Sequence, residues 1–234
     1  MLNVRNVHAG YGSIEILHGI TVHAEKSKIT CIIGPNGSGK TTIFKAIFGI
    51  VHITKGNVVL RNEEITNGRP HLIVRKGISY VPQGRSLFKT MSVKENLEMG
   101  GYVLEDNETR ERMRTILELF PVLKDRLNLK SALLSGGEQQ MLVMARALIL
   151  SPEMILLDEP SLGLEPKLTQ MIMEKMKELN ETGLTVMVIE QNARRALQVS
   201  DYAYVLDLGK VRFEGTGEEI LNNKEVQKLY LGAV

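Results

Sequence analysis

The amino-acid sequence predicts an α/β fold in which a mixed core sheet is flanked by helices. Short, almost wholly apolar runs alternate with longer amphipathic stretches, and this alternation is typical of α/β proteins. Runs such as Ile155–Leu157 lack polar residues, which favours strands that are covered on both faces of the sheet. Residues 89–150 are strand-poor and helical in pattern, so we expect an inserted helical subdomain there, within one domain over residues 1–234.

Individual elements follow from the same patterns. The predicted core strands are Ile29–Ile33, Gly77–Pro82, Met154–Leu157, Leu184–Ile189 and Ala203–Leu206. The predicted helices are Thr41–Phe48, Glu138–Leu150, Pro166–Glu181 and Ala193–Val199. Residues 1–25 and 55–66 alternate more strongly and contain turn-forming glycines and asparagines, which predicts an antiparallel β-subdomain beside the core. Residues 217–234 are expected to close the fold with one or two short helices.

The charge balance argues against binding to nucleic acid. Lysine and arginine total 29 and aspartate and glutamate total 27, so the formal net charge is +2. A value this small gives no overall attraction to nucleic acid or to anionic lipid. The basic stretch of Arg110, Arg112 and Arg114 is interleaved with Glu108 and Glu111, as is typical of a solvated helix face. We therefore expect no nucleic-acid partner.

The apolar segments are too short to cross a membrane as helices. No stretch of the sequence approaches the ~18–20 consecutive apolar residues that such a helix needs. The first residues, Met1–Arg5, also lack the basic-then-apolar pattern of a signal peptide. We expect a cytoplasmic protein that reaches a membrane only through a partner. The single cysteine, Cys31, lies in an apolar run and is interpreted as a small core residue.

Residues Gly34–Thr41 match the phosphate-binding pattern G-x-x-x-x-G-K-[ST] between a predicted strand and a predicted helix. Its glycines let backbone N–H groups turn toward an anion, and the start of the helix adds a partial positive charge. Lys40 is suited to the β- and γ-phosphates, and the Thr41 hydroxyl to Mg²⁺. The sequence therefore predicts a nucleotide site that includes Asn36, Gly37, Ser38, Gly39, Lys40, Thr41 and Thr42.

Two adjacent carboxylates, Asp158 and Glu159, end the predicted strand Met154–Leu157. At the carboxyl end of a parallel strand they would emerge into the ligand crevice. Taken alone, two acids here are also compatible with the start of a helix. Together with the phosphate loop they predict that Asp158 holds Mg²⁺, directly or through water, while Glu159 acts as general base for the attacking water.

The run Leu134–Gln140, which reads L-S-G-G-E-Q-Q, resembles the signature motif of ATP-binding-cassette (ABC) ATPases. The resemblance implies a P-loop NTPase fold of the ABC type, with ATP and Mg²⁺ as cofactors. In that family this loop closes on the γ-phosphate of ATP bound to an opposing subunit, so Ser135, Gly136 and Gly137 are implied to complete a partner's site. A plain Ser-Gly-Gly helix cap is the simpler alternative for these residues taken alone.

Other positions fit the same resemblance. Tyr11 matches the aromatic residue that stacks on adenine, and Ile16 is expected beside the base. Gln83 matches the glutamine that touches Mg²⁺ and links the nucleotide site to the membrane partner. The segment Gly84–Glu95 is then expected to belong to the surface that docks on that partner.

Two positions depart from the usual family pattern. Gln191 occupies the place where most ABC ATPases carry a histidine, and glutamine can hydrogen-bond a γ-phosphate but cannot titrate near neutral pH. We therefore expect Gln191 to orient or polarise rather than to accept a proton. Glu165 stands where many relatives have aspartate before a proline, and it keeps the charge but adds a methylene to the inter-subunit loop.

Two stretches, Asp158–Leu164 and Glu190–Ala193, are similar to the ATP-binding subunits of branched-chain (hydrophobic) amino-acid importers, specifically the shorter of their two cassettes. Importer cassettes for urea and amides share parts of the pattern. The resemblance implies an ATP-hydrolysing subunit at the inner face of the cell membrane. Its implied partners are transmembrane permease subunits and a second cassette, in a head-to-tail homodimer or heterodimer.

Two functions of other classes remain as alternatives. Soluble ABC ATPases that act on nucleic acid or ribosomes usually carry two cassettes or long coiled-coil insertions, and this sequence has neither. A phosphotransferase on a P-loop core would need an acceptor site and a lid, and it would leave the signature-like loop unexplained. ATP turnover without an acceptor distinguishes the last of these.

Overall fold

The computed structural model describes residues 1–230 of the 234-residue chain. Its strands are β1 Leu2–Tyr11, β2 Ile14–Ala24, β3 Ile29–Ile33, β4 Ile53–Leu60, β5 Glu63–Glu64, β6 Ile78–Val81, β7 Met154–Asp158, β8 Thr185–Ile189, β9 Tyr202–Asp207 and β10 Lys210–Thr216. Its helices are α1 Lys40–Ile47, α2 Pro70–Arg75, α3 Val93–Gly100, α4 Asp106–Leu119, α5 Pro121–Lys124, α6 Gly136–Leu148, α7 Pro166–Glu181, α8 Ala193–Val199, α9 Gly217–Asn222 and α10 Lys224–Tyr230, with a short 3₁₀ turn at Ser131–Leu133.

The core is a six-stranded mixed sheet in the order β10-β9-β3-β8-β7-β6. Strands β9, β3, β8, β7 and β6 pair in parallel, and β10 pairs with β9 antiparallel at the edge. Every residue of β3, β7 and β8 is buried, as the uninterrupted apolar runs predicted. Because parallel strands share a direction, the loops that follow β3, β6, β7 and β8 all leave at one edge of the sheet.

A four-stranded sheet in the order β2-β1-β4-β5 covers one side of this core. Its neighbours pair antiparallel, which confirms the prediction for the alternating segments near the N-terminus. Buried side chains of β1, β2 and β4 pack with those of α1 and with one face of the core sheet. The helix α1 is therefore held between two sheets, which restrains the loop that precedes it.

Helices α3, α4, α5 and α6 lie in residues 93–148 and form the expected inserted helical subdomain. Their apolar faces join α7, α8 and the other face of the core sheet in a second buried cluster, which includes Phe120, Leu142 and Ile155. Within residues 1–230, no helix combines the length and the apolar character that crossing a membrane requires.

Predicted and observed bounds agree closely for the elements of the core. Helices α7 and α8 have the predicted bounds, and each predicted core strand matches to within one residue at either end. Helix α6 begins at Gly136, before the predicted start, because Ser135 and Glu138 form a capping box. Strand β10 and helix α2 were not predicted, and the predicted C-terminal helices are α9 and α10. The last four residues of the segment 217–234 lie outside the described residues.

The buried side chain of Asn96 fastens α3 to the segment before it. Asn96 is fully buried, its Oδ1 accepts from the Phe88 N–H at 3.0 Å, and its Nδ2 donates to the Phe88 carbonyl at 3.1 Å and to the Ser92 carbonyl at 2.9 Å. The Phe88 N–H has no other hydrogen-bond partner within residues 1–230, whereas the two carbonyls also accept from backbone N–H groups. The amide thereby fixes the segment that the sequence analysis associates with docking.

Replacing Asn96 with alanine should therefore destabilise the protein. We expect Asn96→Ala to lower the free energy of unfolding by about 2 kcal/mol, because the hydrogen bonds of a fully buried amide are lost and the Phe88 N–H is left without its partner. Urea unfolding followed by circular dichroism measures the change. The matched control Asn107→Ala alters an exposed residue of α4 and should stay within about 0.5 kcal/mol of the wild type. Equal unfolding midpoints for Asn96→Ala and Asn107→Ala would contradict the prediction.

Candidate functional site

The phosphate loop connects β3 to α1 at the carboxyl edge of the core sheet. Gly34, Gly37 and Gly39 have φ values of 149°, 81° and 98°, which residues with a side chain rarely adopt. A Cβ on Gly34 would lie 2.2 Å from the Leu206 carbonyl oxygen, so this position also requires glycine for space. Helix α1 begins directly after Gly39 and has no side-chain cap, which leaves its first N–H groups for an anion.

Lys40 is folded back over the loop that precedes it. Its side chain is 5% exposed, and Nζ donates to the carbonyls of Gly34 at 2.9 Å and Pro35 at 3.0 Å. Burial lowers the pKa of Lys40, while the nearby charges of Glu159 and Asp158 raise it. A polyanion at this loop would replace the two carbonyls as the partner of the ammonium group.

The metal side of the site centres on Asp158, which is 1% exposed. Thr41 Oγ1 donates to Asp158 Oδ1 at 3.0 Å, and the Tyr80 hydroxyl donates to Oδ2 at 3.1 Å. Burial raises the pKa of Asp158, and these two hydrogen bonds oppose the rise. A threonine hydroxyl beside a carboxylate fits Mg²⁺, which prefers oxygen ligands and takes its remaining ones from phosphate and water. Within residues 1–230 no group of three histidine, cysteine or acidic side chains is placed to hold a metal ion.

Tyr80 is a site residue to which the sequence analysis gave no role. Tyr80 belongs to β6, and its ring packs edge-on against Phe44 of α1 at a centroid distance of 6.2 Å. It also packs at a tilt against Phe48, which directly follows α1, at 5.4 Å, so these two contacts fix the position of the ring. Its hydroxyl thereby fixes one oxygen of Asp158. A lone tyrosine in an apolar strand carries no sequence signal of such a role, because core packing produces the same pattern.

Glu159 adopts a left-handed backbone conformation, with φ at 49°. A non-glycine residue in this region costs on the order of 1–3 kcal/mol, and such strain concentrates at functional sites. The strain is offset in part by the Glu159 N–H, which donates to the Ile189 carbonyl at 2.8 Å. The Glu159 carboxylate accepts a hydrogen bond from Gln83 Nε2 at 2.9 Å, which joins the loops after β6 and β7.

These loops enclose an open cleft of about 440 Å³. It contains most of the predicted site residues, together with Leu162, which the sequence analysis did not assign. Its lining consists of Ile16, Asn36, Gly37, Gly39, Lys40, Thr41, Thr42, Gln83, Glu159, Leu162 and Gln191.

Three predicted residues lie near the cleft without lining it. Ser38 is buried in the loop and its Oγ has no hydrogen-bond partner within residues 1–230, and Asp158 lies behind Thr41. Tyr11 is 48% exposed at the end of β1, with Lys45 Nζ at 5.8 Å from its ring centroid. Its ring is therefore accessible to a planar ligand such as a base.

The signature-like loop lies away from the cleft lining, at the start of α6. Ser135 Oγ accepts from the Glu138 N–H at 3.3 Å, and Glu138 Oε2 accepts from the Ser135 N–H at 2.8 Å. The loop therefore caps α6. Gly136 and Gly137 follow it in the first turn of α6, where Gly136 lies close to the Arg85 guanidinium. The cap does not exclude the implied role, because the Ser135 hydroxyl can still donate its proton.

A phosphate loop facing paired carboxylates at the carboxyl edge of a parallel sheet defines a nucleotide-hydrolysing protein of the P-loop class. The ABC transporter family model matches residues 17–162, which include both the phosphate loop and Asp158. The chain belongs to the ABC transporter family, whose cassettes bind ATP and hydrolyse it.

Relatives and solved structures extend over nearly the whole chain. The high-affinity branched-chain amino acid transport ATP-binding protein BraG of Pseudomonas aeruginosa is 41% identical over 99% of this chain and 100% of its own length. The lipopolysaccharide export system ATP-binding protein LptB of Haemophilus influenzae is 34% identical over 99% of this chain and 97% of its own.

Among solved structures, an ATP-binding cassette of an ABC transporter in its ADP conformation has a TM-score of 0.90 at 30% identity, covering 99% of this chain and 98% of its own. A dimeric cassette bound to ADP and Pi in a post-hydrolysis state has a TM-score of 0.80 at 29% identity, covering 95% and 100%. These likenesses confirm the predicted fold class and support a nucleotide as the occupant of the cleft.

Lys40 should govern the affinity for ATP. We expect Lys40→Ala to raise the Kd for ATP about 10- to 100-fold, because a charge-assisted hydrogen bond contributes ~1.5–3 kcal/mol. Fluorescence titration with a labelled ATP analogue measures the change. Lys177→Ala, which removes an exposed lysine from α7, is the matched control and should bind as the wild type does. An unchanged Kd in Lys40→Ala would remove the lysine from the binding site.

Proposed function

We propose that this chain is the ATP-hydrolysing subunit of a membrane importer for branched-chain amino acids. The observation that carries the substrate class is the 41% identity to BraG along essentially the full length of both chains. The chemistry rests on the cleft, where phosphate-binding, metal-binding and base residues meet. LptB is less similar at 34%, which favours the amino-acid importer over lipopolysaccharide export.

The phosphate loop and Lys40 hold the β- and γ-phosphates of ATP. Thr41 and Asp158, which already contact each other at 3.0 Å, hold Mg²⁺ with Gln83 beside them. Bound Mg²⁺ neutralises charge on the phosphates and orients them for in-line attack. Tyr11 and Ile16 contact the adenine base at the end of the cleft that is formed by the β1–β2 hairpin.

Glu159 is the general base. Its carboxylate projects into the cleft from a strained turn, where it takes up a proton from the attacking water. Gln191 approaches from the loop after β8 and hydrogen-bonds the γ-phosphate through its amide. Because an amide does not titrate near neutral pH, Gln191 orients the reaction and Glu159 carries the proton.

Hydrolysis is coupled to transport through two further contacts. Ser135, Gly136 and Gly137 close on ATP bound to a second cassette arranged head to tail, so that ATP favours the closed pair by its differential affinity. Gln83 leads into the segment 84–95, which docks on the permease at the inner face of the membrane. We propose no nucleic-acid partner for this chain.

Glu159→Gln tests the base. The amide keeps the size of the side chain but cannot accept a proton, so we expect ATP turnover to fall by about 10²–10⁴-fold while ATP still binds. Phosphate release and size-exclusion chromatography with Mg·ATP measure turnover and the accumulation of an ATP-bound dimer. Glu118→Gln, on the exposed side of α4, is the control and should turn over normally. Wild-type turnover in Glu159→Gln would refute the assignment.

Uptake by cells tests the substrate class. Deletion of the gene in the source organism should abolish high-affinity uptake of radiolabelled leucine, isoleucine and valine, and the wild-type gene should restore it while Glu159→Gln should not. Lysine uptake serves as the control. Unchanged uptake of all three amino acids would overturn the proposal, and loss of urea uptake instead would favour a urea or amide importer.

Affinity purification from native membranes tests the partners. The tagged protein should recover two hydrophobic permease chains and a second cassette, identified by mass spectrometry. Recovery of ribosomal proteins without a permease would favour the soluble alternative and leave the ATPase chemistry in place.

A further inference from the structure

A further buried carboxylate, that of Glu190, lies behind the cleft. Glu190 directly follows β8 and is 1% exposed, and it does not line the cleft. Its neighbour in the chain, Gln191, does line it. The proposed mechanism gives Glu190 no task, although removing a carboxylate from water is expensive and needs compensation.

The compensation comes from hydrogen bonds and not from a cation. Glu190 Oε1 accepts from the Ser161 N–H at 2.9 Å, and Oε2 accepts from Ser161 Oγ at 2.8 Å and from the Gln191 N–H at 3.2 Å. Across the described part of the chain, residues 1–230, no lysine, arginine or histidine forms an ion pair with it. Burial raises the pKa of Glu190, and the hydrogen bonds from Ser161 and from the backbone oppose the rise.

The donors belong to the two loops that carry reactive side chains. Ser161 follows Glu159 by two residues in the loop after β7, and Gln191 lies in the loop after β8. The regular pairing of these strands ends where Asp158 lies opposite Ile189, and the Glu159 N–H then reaches the Ile189 carbonyl. Beyond that point, the side chain of Glu190 takes over from the backbone and ties one loop to the other.

We propose that Glu190 is a positioning residue that holds Glu159 and Gln191 in the mutual arrangement needed for hydrolysis. This inference rests on the proposed role of Glu159 as general base. Because Glu190 does not line the cleft, it acts through the two loops. A small displacement of either reactive group is enough to slow the reaction strongly, since misplacement by about 1 Å can cost about 10²-fold in rate.

The charged form of the side chain is required. Glutamine has the same shape but one acceptor oxygen, and its NH₂ group would face an N–H donor at either end. If the NH₂ group takes the position of Oε1, it faces the Ser161 N–H. If the amide is flipped, the NH₂ group takes the position of Oε2 and faces the Gln191 N–H. The substitution Glu190→Gln therefore breaks one of the backbone hydrogen bonds that join the two loops in either orientation.

The test compares Glu190→Gln and Ser161→Ala, singly and combined, with the exposed control Glu181→Gln on α7. Steady-state ATP hydrolysis gives kcat and KM, titration with a labelled ATP analogue gives Kd, and thermal unfolding gives the folded fraction. We expect Glu190→Gln to lower kcat about 10- to 100-fold with Kd within about 3-fold of the wild type. Because both substitutions weaken the same contact between the loops after β7 and β8, the combined variant should be no slower than Glu190→Gln alone.

A merely structural role for Glu190 has a different signature. It would lower the unfolding temperature while kcat per folded molecule stayed at the wild-type value, and that outcome would overturn the inference. If Glu190→Gln does not fold, Ser161→Ala decides, because it removes a single hydroxyl donor: a reduced kcat at unchanged Kd supports the inference and an unchanged kcat overturns it.

Glu159→Gln in the same assay separates this inference from the proposed function. Wild-type turnover in Glu159→Gln would remove the base on which both depend. An inactive Glu159→Gln beside a fully active Glu190→Gln would leave the base in place and reject only the positioning role.

Discussion

The functional site depends on the parallel pairing of β3, β7 and β8. Parallel strands end at the same edge of a sheet, so one hydrogen-bonded ladder fixes the phosphate loop, Asp158 and Gln191 relative to one another. The strands are buried on both faces, which resists a slip in register, since a slip by one residue would exchange the faces of every side chain. Side-chain contacts such as Thr41 to Asp158 add precision to an arrangement that the backbone has already imposed.

Charge in this site is stabilised mainly by dipoles and hydroxyl groups. Asp158 receives Thr41 and Tyr80, Glu190 receives Ser161 and the backbone, and Lys40 donates to carbonyls of its own loop. Such partners are fixed by the fold and carry no net charge of their own. The net charge of the cleft therefore remains available to respond to a bound polyanion and its metal, which fixed ion pairs would partly cancel.

Sequence patterns were sufficient for the sheet core and for most of the residues that line the cleft. Short, almost wholly apolar runs identified the buried strands. The phosphate loop was identified by the spacing of its glycines, lysine and threonine. Tyr80 and Glu190 could not be found in this way, because their roles depend on which loop lies opposite, and that is decided by strand order. Strand β10 was missed for a related reason, since its alternating exposure reads as a surface segment until β9 supplies its partner.

The hydrogen bond from Gln83 to Glu159 bears on how much ATP the cassette consumes when no transporter is attached. Because Glu159 Oε2 already accepts the Gln83 amide, that oxygen is a weaker acceptor for water in this conformation. Gln83 stands at the head of the segment that Asn96 fastens to α3, and a pull on that segment would draw the amide away. If this segment docks on a permease as proposed above, attachment would free that oxygen for water, and a cassette without its permease would consume little ATP.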